Sequence, residues 1–196
     1  MSVELGRQVS NTFDGIRDDH KNRYIFALTI IGKNYKVIDA ACGIGYGSKL
    51  IAEAGNFVDS FDISPEALNY ALKHYSHERI TYSQADIQAH NFVNEYDFCV
   101  SFETVEHLET PETFLKSIKA KKLIVSVPNE SYLPFDRKRH VYHKRHYTES
   151  EFCDLLTSCG WKVSKIYHQI GKIGKDAEIQ DKIQGNTIIA IAESEK

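Results

Sequence analysis

The stretch Val37-Ile-Asp-Ala-Ala-Cys-Gly-Ile-Gly-Tyr-Gly-Ser48 combines a short apolar run, an acid and three closely spaced glycines. The apolar run predicts a buried parallel strand with the Asp39 carboxylate near its carboxyl end. Because Gly43, Gly45 and Gly47 carry no Cβ, the backbone after the strand can turn sharply and approach a ligand closely. In open α/β sheets such a ligand lies in the crevice outside the carboxyl ends of the strands.

The glycine spacing also restricts the kind of ligand. A dinucleotide site has G-x-G-x-x-G at this turn, because helix N–H groups must bind a pyrophosphate. Here the spacing is G-x-G-x-G, with an acid four residues before the first glycine. A carboxylate in the cradle suits a ligand that carries an ammonium group better than one that carries phosphates.

A second acid supports a nucleoside-containing ligand. The strand-like run Val58-Asp-Ser-Phe-Asp62 ends at an acid that follows Gly45 by seventeen residues. In doubly wound nucleotide folds, the carboxylate at the end of the second strand accepts hydrogen bonds from ribose hydroxyls. We therefore predict that Asp62 binds a ribose.

Composition predicts one globular domain over residues 1–196, because the chain is 42% hydrophobic with a net charge of −3. We expect residues 1–16 to be loosely ordered. No apolar run reaches the length of a membrane span, and the polar N-terminus lacks a secretory segment. The cysteines form no C-x-x-C pair, so we expect free thiols and a cytoplasmic protein without membrane partners. They are Cys42, Cys99, Cys153 and Cys159.

The alternation of apolar patterns predicts the fold class. Strand patterns cover residues 35–40, 57–61, 80–82, 96–102, 123–127, 161–168 and 187–192. Helical patterns cover residues 16–31, 46–54, 65–75, 111–118 and 148–158. Alternating strands and helices indicate a doubly wound α/β fold with a largely parallel seven-stranded sheet. The last two strands have only a turn-like connection, which favours an antiparallel C-terminal hairpin.

Two carboxylates and an imidazole follow the fourth strand, in Ser101-Phe-Glu103-Thr-Val-Glu106-His107. Such a cluster can act as a general base or bind a hard metal ion. If the segment becomes helical, Glu103 lies one turn from Glu106 and His107, on the same side. The alternative is a solvated loop.

The polar segment 130–147 contains a dense basic patch, Arg137-Lys-Arg-His-Val-Tyr-His-Lys-Arg-His146. Its place after the fifth strand puts it over the crevice, as a substrate lid. Such a positive lid can hold an anionic or phosphorylated small molecule, or a nucleic acid. A solvated loop with incidental charge is the alternative. A histidine from this patch could also join Glu103, Glu106 and His107 in a metal site.

Taken together, these motifs resemble the small class I methyltransferases that act on sugars and other metabolites. The resemblance covers about residues 20–165 and includes Arg23-Tyr24, Asp39–Gly47, Asp62-Ile-Ser64, Phe102–Leu108, Ser126-Val-Pro-Asn129 and His143 with Tyr147-Thr148. It implies S-adenosylmethionine (SAM) as cofactor and S-adenosylhomocysteine as product.

The resemblance also implies the cofactor contacts. Asp86 would accept a hydrogen bond from the adenine amino group, and Ile63 and Ile87 would sandwich the ring. Asp86 could instead cap a helix, and both roles are compatible. The full set of expected cofactor residues is Tyr24, Asp39, Ala41, Gly43, Gly45, Asp62, Ile63, Asp86, Ile87 and Phe102.

For the reaction, we expect O-methylation of a small acceptor. His107 would be the base, Glu106 would orient it, and His143 would close the site from the lid. The E-x-x-E-H motif with a later histidine is also similar to two metal-using groups, the ubiquinone-pathway O-methyltransferases and the small-RNA ribose 2′-O-methyltransferases. Both generally have longer substrate-binding regions than this chain.

We expect activity without added metal, since Lys144 and Arg145 would repel a cation. If a metal is used, its ligands would be Glu103, Glu106, His107 and His143. Two alternatives belong to other classes. A non-catalytic SAM-binding accessory module would not need the Glu–His cluster, and the glycine spacing disfavours a nucleotide-dependent oxidoreductase.

Overall fold

The computed structural model describes residues 9–181 and 183–195. The helices are α1 (Asp18–Ile31), α2 (Tyr46–Glu53), α3 (Pro65–His74), α4 (Pro111–Ser117) and α5 (Glu149–Ser158), with short 3-10 helices at Val105–His107 and Gly174–Ala177. The strands are β1 (Lys36–Ala40), β2 (Phe57–Asp62), β3 (Ile80–Gln84), β4 (Tyr96–Phe102), β5 (Ala120–Pro128), β6 (Trp161–Gln169), β7 (Ile179–Gln180) and β8 (Thr187–Ser194).

All the described strands form one sheet in the order β3-β2-β1-β4-β5-β8-β6-β7. The first five are parallel, and β8, β6 and β7 are antiparallel to their neighbours. The predicted α/β fold with an antiparallel C-terminal hairpin is therefore confirmed. The described sheet has eight strands instead of seven, because the two-residue β7 lies in the segment predicted as a turn-like connection.

The central strands are buried on both faces of the sheet, as expected for parallel strands covered by helices. Side chains alternate between two cores: Val37 of β1 packs with α1 and α2, and Ile38 packs with the cluster that contains α4 and α5. In the second core Trp161 is fully buried and donates its indole N–H to the Leu115 carbonyl over 2.9 Å. The two layers make the sheet a rigid platform for its carboxyl edge.

Chain reversal between β1 and β4 creates the crevice. From β1 the chain runs outward to β2 and β3, and then returns to place β4 on the other side of β1. Loops on the two sides of this switch point diverge, which leaves an opening at the carboxyl ends of the strands. The loops after β1, β2, β4 and β5 surround this opening.

The expectations on compartment and on the N-terminus are tested in part. Across the described ranges, no helix has the length and apolarity needed to cross a membrane. The four cysteines all lie within those ranges and form no disulfide. Residues 1–8 of the N-terminal prediction lie outside the described residues. Residues 9–17 form turns with neither helix nor strand, and Ile16 is buried against Ile44.

Candidate active site

A cavity of about 910 Å³ lies at the carboxyl edge of the sheet. It contains most of the residues that the sequence singled out: Tyr24, Ala41, Gly43, Asp62, Ile63, Asp86, Ile87, Phe102, Glu103, Glu106, His107 and His143. Two expected cofactor residues, Asp39 and Gly45, are not among its lining residues. The structure places them behind the wall.

Asp39 is fully buried and organises the loop after β1. One carboxylate oxygen accepts a hydrogen bond from the Tyr24 hydroxyl (3.0 Å) and the other from the Ser48 hydroxyl (2.6 Å). Burial raises the pKa of Asp39 to about 6, although both hydrogen bonds act against this shift. Because both of its oxygens bind protein groups, Asp39 can affect a ligand only indirectly. It does so by shaping the loop after β1 and by its charge.

Two of the glycines permit close packing behind the cavity. Gly45 has φ +84° as the N-cap of α2, and a Cβ there would overlap Tyr82 and Ala71. A Cβ on Gly47 would overlap the Tyr24 ring. These glycines bring α2 against its neighbours and hold the ring of Tyr24 over the loop.

Asp62 lies at the end of β2, on the cavity wall, and is 3% exposed. One of its oxygens accepts the Gly43 N–H over 2.8 Å, and the other accepts the Ser64 N–H over 2.9 Å. A carboxylate has about four acceptor positions, so both oxygens can accept further hydrogen bonds from a ligand. Asp62 thus joins the two loops that border the β1 and β2 ends of the cavity.

The segment after β3 supplies one side of the cavity. Asp86 accepts the Gln88 N–H over 3.0 Å, which closes a turn. Since residues 87–89 form a turn and no helix, the alternative that Asp86 caps a helix is wrong. Ile87 is buried, and Ile63 is 60% exposed at the rim. The two isoleucines and Asp86 all line the cavity, which gives it apolar surface and one polar acceptor.

Two non-glycine residues at the strand ends have left-handed backbone conformations, Ala41 (φ +61°) and Glu103 (φ +51°). Such residues commonly occur at functional sites, where the surrounding structure imposes the strain. The Glu103 N–H donates to Ser126, and Ser126 Oγ donates to the Glu103 carboxylate over 2.9 Å. Glu103 is therefore held towards β5, apart from Glu106 and His107.

The 3-10 helix after β4 brings Glu106 and His107 together with His143 of the lid. One ligand-type atom from each of the three lies within 4.8 Å of the others, and Glu103 is not in this group. Glu106 is fully buried, and neither of its carboxylate oxygens has a hydrogen-bond partner among the described residues. Burial, with the Glu103 charge in addition, raises the pKa of Glu106 well above its usual range.

The imidazole of His107 is oriented by the lid, not by Glu106. Its Nδ1 lies 2.9 Å from the Tyr142 carbonyl oxygen, and a carbonyl can only accept. Nδ1 therefore carries a proton, and in the neutral ring Nε2 has a free lone pair. This Nε2 is 3.8 Å from Glu106, too far for a hydrogen bond. The expected orienting role of Glu106 is thus assigned to the Tyr142 backbone.

The basic patch faces the cavity only in part. Lys144 pairs with Glu109, and the Arg145 guanidinium donates to the Leu108 and Glu109 carbonyls. These two cations tie the lid to the loop after β4. Arg139 lines the cavity, and Arg137 and Lys138 are exposed. Of the five Arg and Lys side chains in the patch, one therefore lines the cavity, two anchor the lid and two are exposed to solvent.

Helix α1 and the C-terminal hairpin form a wall that the sequence pattern did not predict. Arg17 and Asp19 are ion-paired at 2.6 Å, and Arg23, which is 2% exposed, donates to the Gln169 side chain over 2.8 Å. The Arg23 Nε atom has no hydrogen-bond partner among the described residues. Asn22 also donates to the Ala177 carbonyl over 3.0 Å. The spacing Asp19-x-x-x-Arg23, which puts both charges on one side of a helix, could have indicated this polar face.

The cavity wall is therefore cationic at this end. Arg17, Arg23 and Lys172 line it with one carboxylate, Asp19, between the arginines. Burial lowers the pKa of His20, which is next to Arg17, to about 3, so this histidine is neutral. An anionic group is the expected ligand of this wall.

Comparison with known proteins agrees with this geometry. The mitochondrial ubiquinone biosynthesis O-methyltransferase of Schizosaccharomyces pombe is 32% identical over 91 residues, 44% of this chain and 33% of the relative. A protein of Mycolicibacterium smegmatis described as a probable S-adenosylmethionine-dependent methyltransferase is 27% identical over 157 residues, 72% of this chain and 58% of the relative. The chain thus spans about a third to three fifths of these relatives.

A solved structure and a family match complete the comparison. The methyltransferase domain of bacterial CtHen1 superimposes with a TM-score of 0.68 at 23% identity, covering 91% of this chain and all of that domain. The sequence model of the Methyltransferase domain family matches residues 38–120, from β1 to the start of β5. The chain therefore has the fold of the class I SAM-dependent methyltransferases.

SAM is the cofactor that this similarity implies, and the cavity fits it. Asp62 on the wall can accept hydrogen bonds from hydroxyls, and the apolar side chains of Ile63 and Ile87 in the lining suit contact with an aromatic ring. The orphaned Nε of Arg23 is a donor without an acceptor at the cationic end. A buried donor of this kind is normally satisfied, and the carboxylate of an amino-acid group would satisfy it.

Proposed function

We propose that this protein transfers the methyl group of SAM to an oxygen atom of a small acceptor in the same cavity. The observation that carries the proposal is the bare Nε2 of His107, held beside the buried Glu106 inside the cofactor cavity. A binding module would not need an oriented imidazole there. The fungal relative, which is an O-methyltransferase by name, supports an oxygen acceptor.

In this proposal the cofactor lies along the carboxyl ends of β1, β2 and β3. Asp62 binds the ribose hydroxyls, Asp86 accepts from the adenine amino group, and Ile63 and Ile87 contact the ring faces. Arg23 binds the methionine carboxylate at the cationic wall. The loop after β4, which carries Glu106 and His107, borders the same cavity, and SAM would supply the activated methyl group there.

The chemistry requires alignment and one proton transfer. The methyl group of a sulfonium is already activated, so the protein must place the acceptor oxygen in line behind it. As the oxygen–carbon bond forms and the carbon–sulfur bond breaks, Nε2 of His107 takes the hydroxyl proton. The products are the methyl ether and S-adenosylhomocysteine.

The lid over residues 130–147 would enclose the acceptor. The cavity volume of about 910 Å³ is near the upper end for small-molecule sites, which leaves room for two ligands. Arg139 on the lid gives the acceptor side a positive charge. A small anionic or phosphorylated metabolite or sugar fits this environment best.

The mechanism is tested with a His107→Ala variant. Candidate acceptors are first screened for release of S-adenosylhomocysteine, and turnover is then compared between the variant and the wild type. We expect a loss of about 10²-fold or more, the usual scale for a general base, with little change in the calorimetric affinity for SAM. The half-buried His74 of α3, which does not line the cavity, provides the control, and His74→Ala should keep wild-type turnover. Near-wild-type turnover of His107→Ala would refute the base assignment.

A second candidate is metal-assisted O-methylation, and the buried carboxylate favours it. An unpaired buried carboxyl must either stay protonated or bind a cation. Carboxylate and neutral imidazole are both good divalent-metal ligands, and burial with the neighbouring histidines lowers the pKa of His143 to about 3, so it stays neutral. Glu106, His107 and His143 would hold the metal, which would lower the pKa of the acceptor hydroxyl.

Chelation separates the two candidates. The protein is dialysed against a chelator and assayed with and without Mg²⁺, Mn²⁺ or Zn²⁺. The acid/base mechanism predicts unchanged turnover, as expected from the sequence. Loss of turnover on chelation, restored by one of these ions, would establish the metal-assisted mechanism instead. Small RNAs and precursors of the ubiquinone pathway belong in the acceptor panel, because the two metal-using groups that the sequence resembles act on them.

The accessory-module hypothesis predicts a different result. Such a protein would bind SAM but transfer no methyl group to any acceptor, alone or at high concentration. Binding without S-adenosylhomocysteine release across the whole panel would therefore count against the proposed function.

A further inference from the structure

The lid contains a chain of hydrogen bonds that ends at the cavity. His146 is 7% exposed, and its Nδ1 lies 2.6 Å from the Leu133 carbonyl oxygen. Because a carbonyl oxygen only accepts, Nδ1 of His146 carries a proton. In the neutral ring this is the one N–H proton, so Nε2 of His146 has only a lone pair.

The next link fixes His143. Its Nδ1 lies 2.8 Å from Nε2 of His146. Since Nε2 of His146 can only accept, Nδ1 of His143 must carry the proton. The second nitrogen of His143, Nε2, is then the one with a free lone pair. In a neutral histidine, the hydrogen bond of one nitrogen decides the state of the other.

The same arrangement is found on His107, with the Tyr142 carbonyl in the role of Leu133. In their neutral forms, both imidazoles that border Glu106 are therefore held by the lid as Nδ1–H tautomers, which leave a lone pair on Nε2. These two rings and the Glu106 carboxylate form the group whose atoms lie within 4.8 Å.

We propose that His146 is a positioning residue: with the Leu133 carbonyl, it fixes His143 in the Nδ1–H tautomer and leaves Nε2 available beside Glu106. Without His146, the His143 ring loses the one acceptor that the described residues give it, and it can take either tautomer or rotate. The inference rests on the proposed function, in which an unprotonated nitrogen at this place accepts a proton or binds a metal ion.

Two substitutions at position 146 test the proposal. In His146→Gln, the amide can donate to Leu133 and accept from His143, so both hydrogen bonds are retained. In His146→Leu, both are lost at similar volume. His140→Gln is the matched control, because its ring centroid is 4.5 Å from that of His146 but its Nδ1 accepts the Asp136 backbone N–H instead.

The primary readout is the histidine tautomer, observed by long-range ¹H–¹⁵N correlation spectra of the labelled full-length protein. We expect His143 as the Nδ1–H tautomer in the wild type, His146→Gln and His140→Gln. In His146→Leu we expect a mixture or the Nε2–H form. An Nε2–H tautomer in the wild type, or an unchanged Nδ1–H tautomer in a folded His146→Leu variant, would overturn the proposal.

A second readout is Mn²⁺ binding, measured by calorimetry without SAM or acceptor. Loss of a group that orients a metal ligand typically weakens binding by about 10- to 100-fold. We expect a loss on this scale in His146→Leu and near-wild-type affinity in His146→Gln. Equal affinity in all variants would contradict the positioning role. If the proposed function alone were wrong, the protein would transfer no methyl group, but the spectra would still show the expected tautomers.

Discussion

Asp62 connects two loops and faces the cavity with the same two oxygens. Its hydrogen bonds to the Gly43 and Ser64 N–H groups fix the shape of the cradle before a ligand enters. Asp62→Ala should weaken SAM and S-adenosylhomocysteine binding about tenfold or more, because a lost pairing typically costs ~1–3 kcal/mol. Calorimetry gives the affinity, and the thermal unfolding midpoint shows whether the variant is folded.

Asp59→Asn on the same strand is the control, since Asp59 accepts from Tyr96 over 2.6 Å and does not line the cavity. Asp62→Asn helps to separate the two roles of the residue. Its amide oxygen can still accept one loop N–H, but it carries no charge. An unchanged SAM affinity in a folded Asp62→Ala variant would exclude the ribose assignment.

At the scale of elements, Gly47 is the point where α2 meets Tyr24 of α1. Gly47→Ala would push the Tyr24 ring away from Asp39, since the added Cβ overlaps the ring. Overpacking of this kind typically costs about 1–3 kcal/mol, and we expect a weaker affinity for SAM as well. Urea unfolding and calorimetry measure the two effects. Lys49→Ala in the same helix should change the free energy of unfolding little, because Lys49 forms only a surface ion pair. Equal stability of the two variants would contradict the packing argument.

The elements of the fold could be predicted because each has a local pattern. Asp39, Asp62 and the glycines also have fixed spacings that local geometry dictates. The hydrogen bond between His143 and His146 depends on how the lid folds back on itself, which no spacing encodes. Likewise, Arg23 meets Gln169 only through the sheet topology, and the two-residue β7 is too short to show a period. From the sequence alone, one could not tell whether Asp39 lies on the cavity wall or is buried behind it.

At the scale of the whole molecule, buried titratable groups make stability depend on pH. The pKa of Asp39 in the folded state, about 6, lies above the usual value in an unfolded chain. The charged carboxylate therefore costs free energy of folding at pH 8, and this cost disappears as the pH falls through 6 towards 4. His20 and His143, whose pKa values are lowered, act in the opposite direction.

Comparison with Asp39→Asn isolates the contribution of Asp39. The variant should gain free energy of unfolding relative to the wild type at pH 8, and this gain should shrink by about 2 kcal/mol between pH 8 and pH 4. Urea unfolding at several pH values measures the difference, in which the histidine contributions cancel. A gain that does not vary with pH would show that Asp39 titrates normally.

The wall between α1 and the C-terminal hairpin has a consequence for biosynthesis. Arg23 leaves the ribosome early, whereas its partner Gln169 follows 146 residues later. Asp18 likewise meets the Gly174 N–H 156 residues further along the chain. Contacts between such distant segments form late, after the local ones. A nascent chain can therefore build the glycine cradle from β1 and β2 while Arg23 still lacks its acceptor. The cationic end of the cavity therefore takes its final form only after β6 and the segment that follows it have emerged.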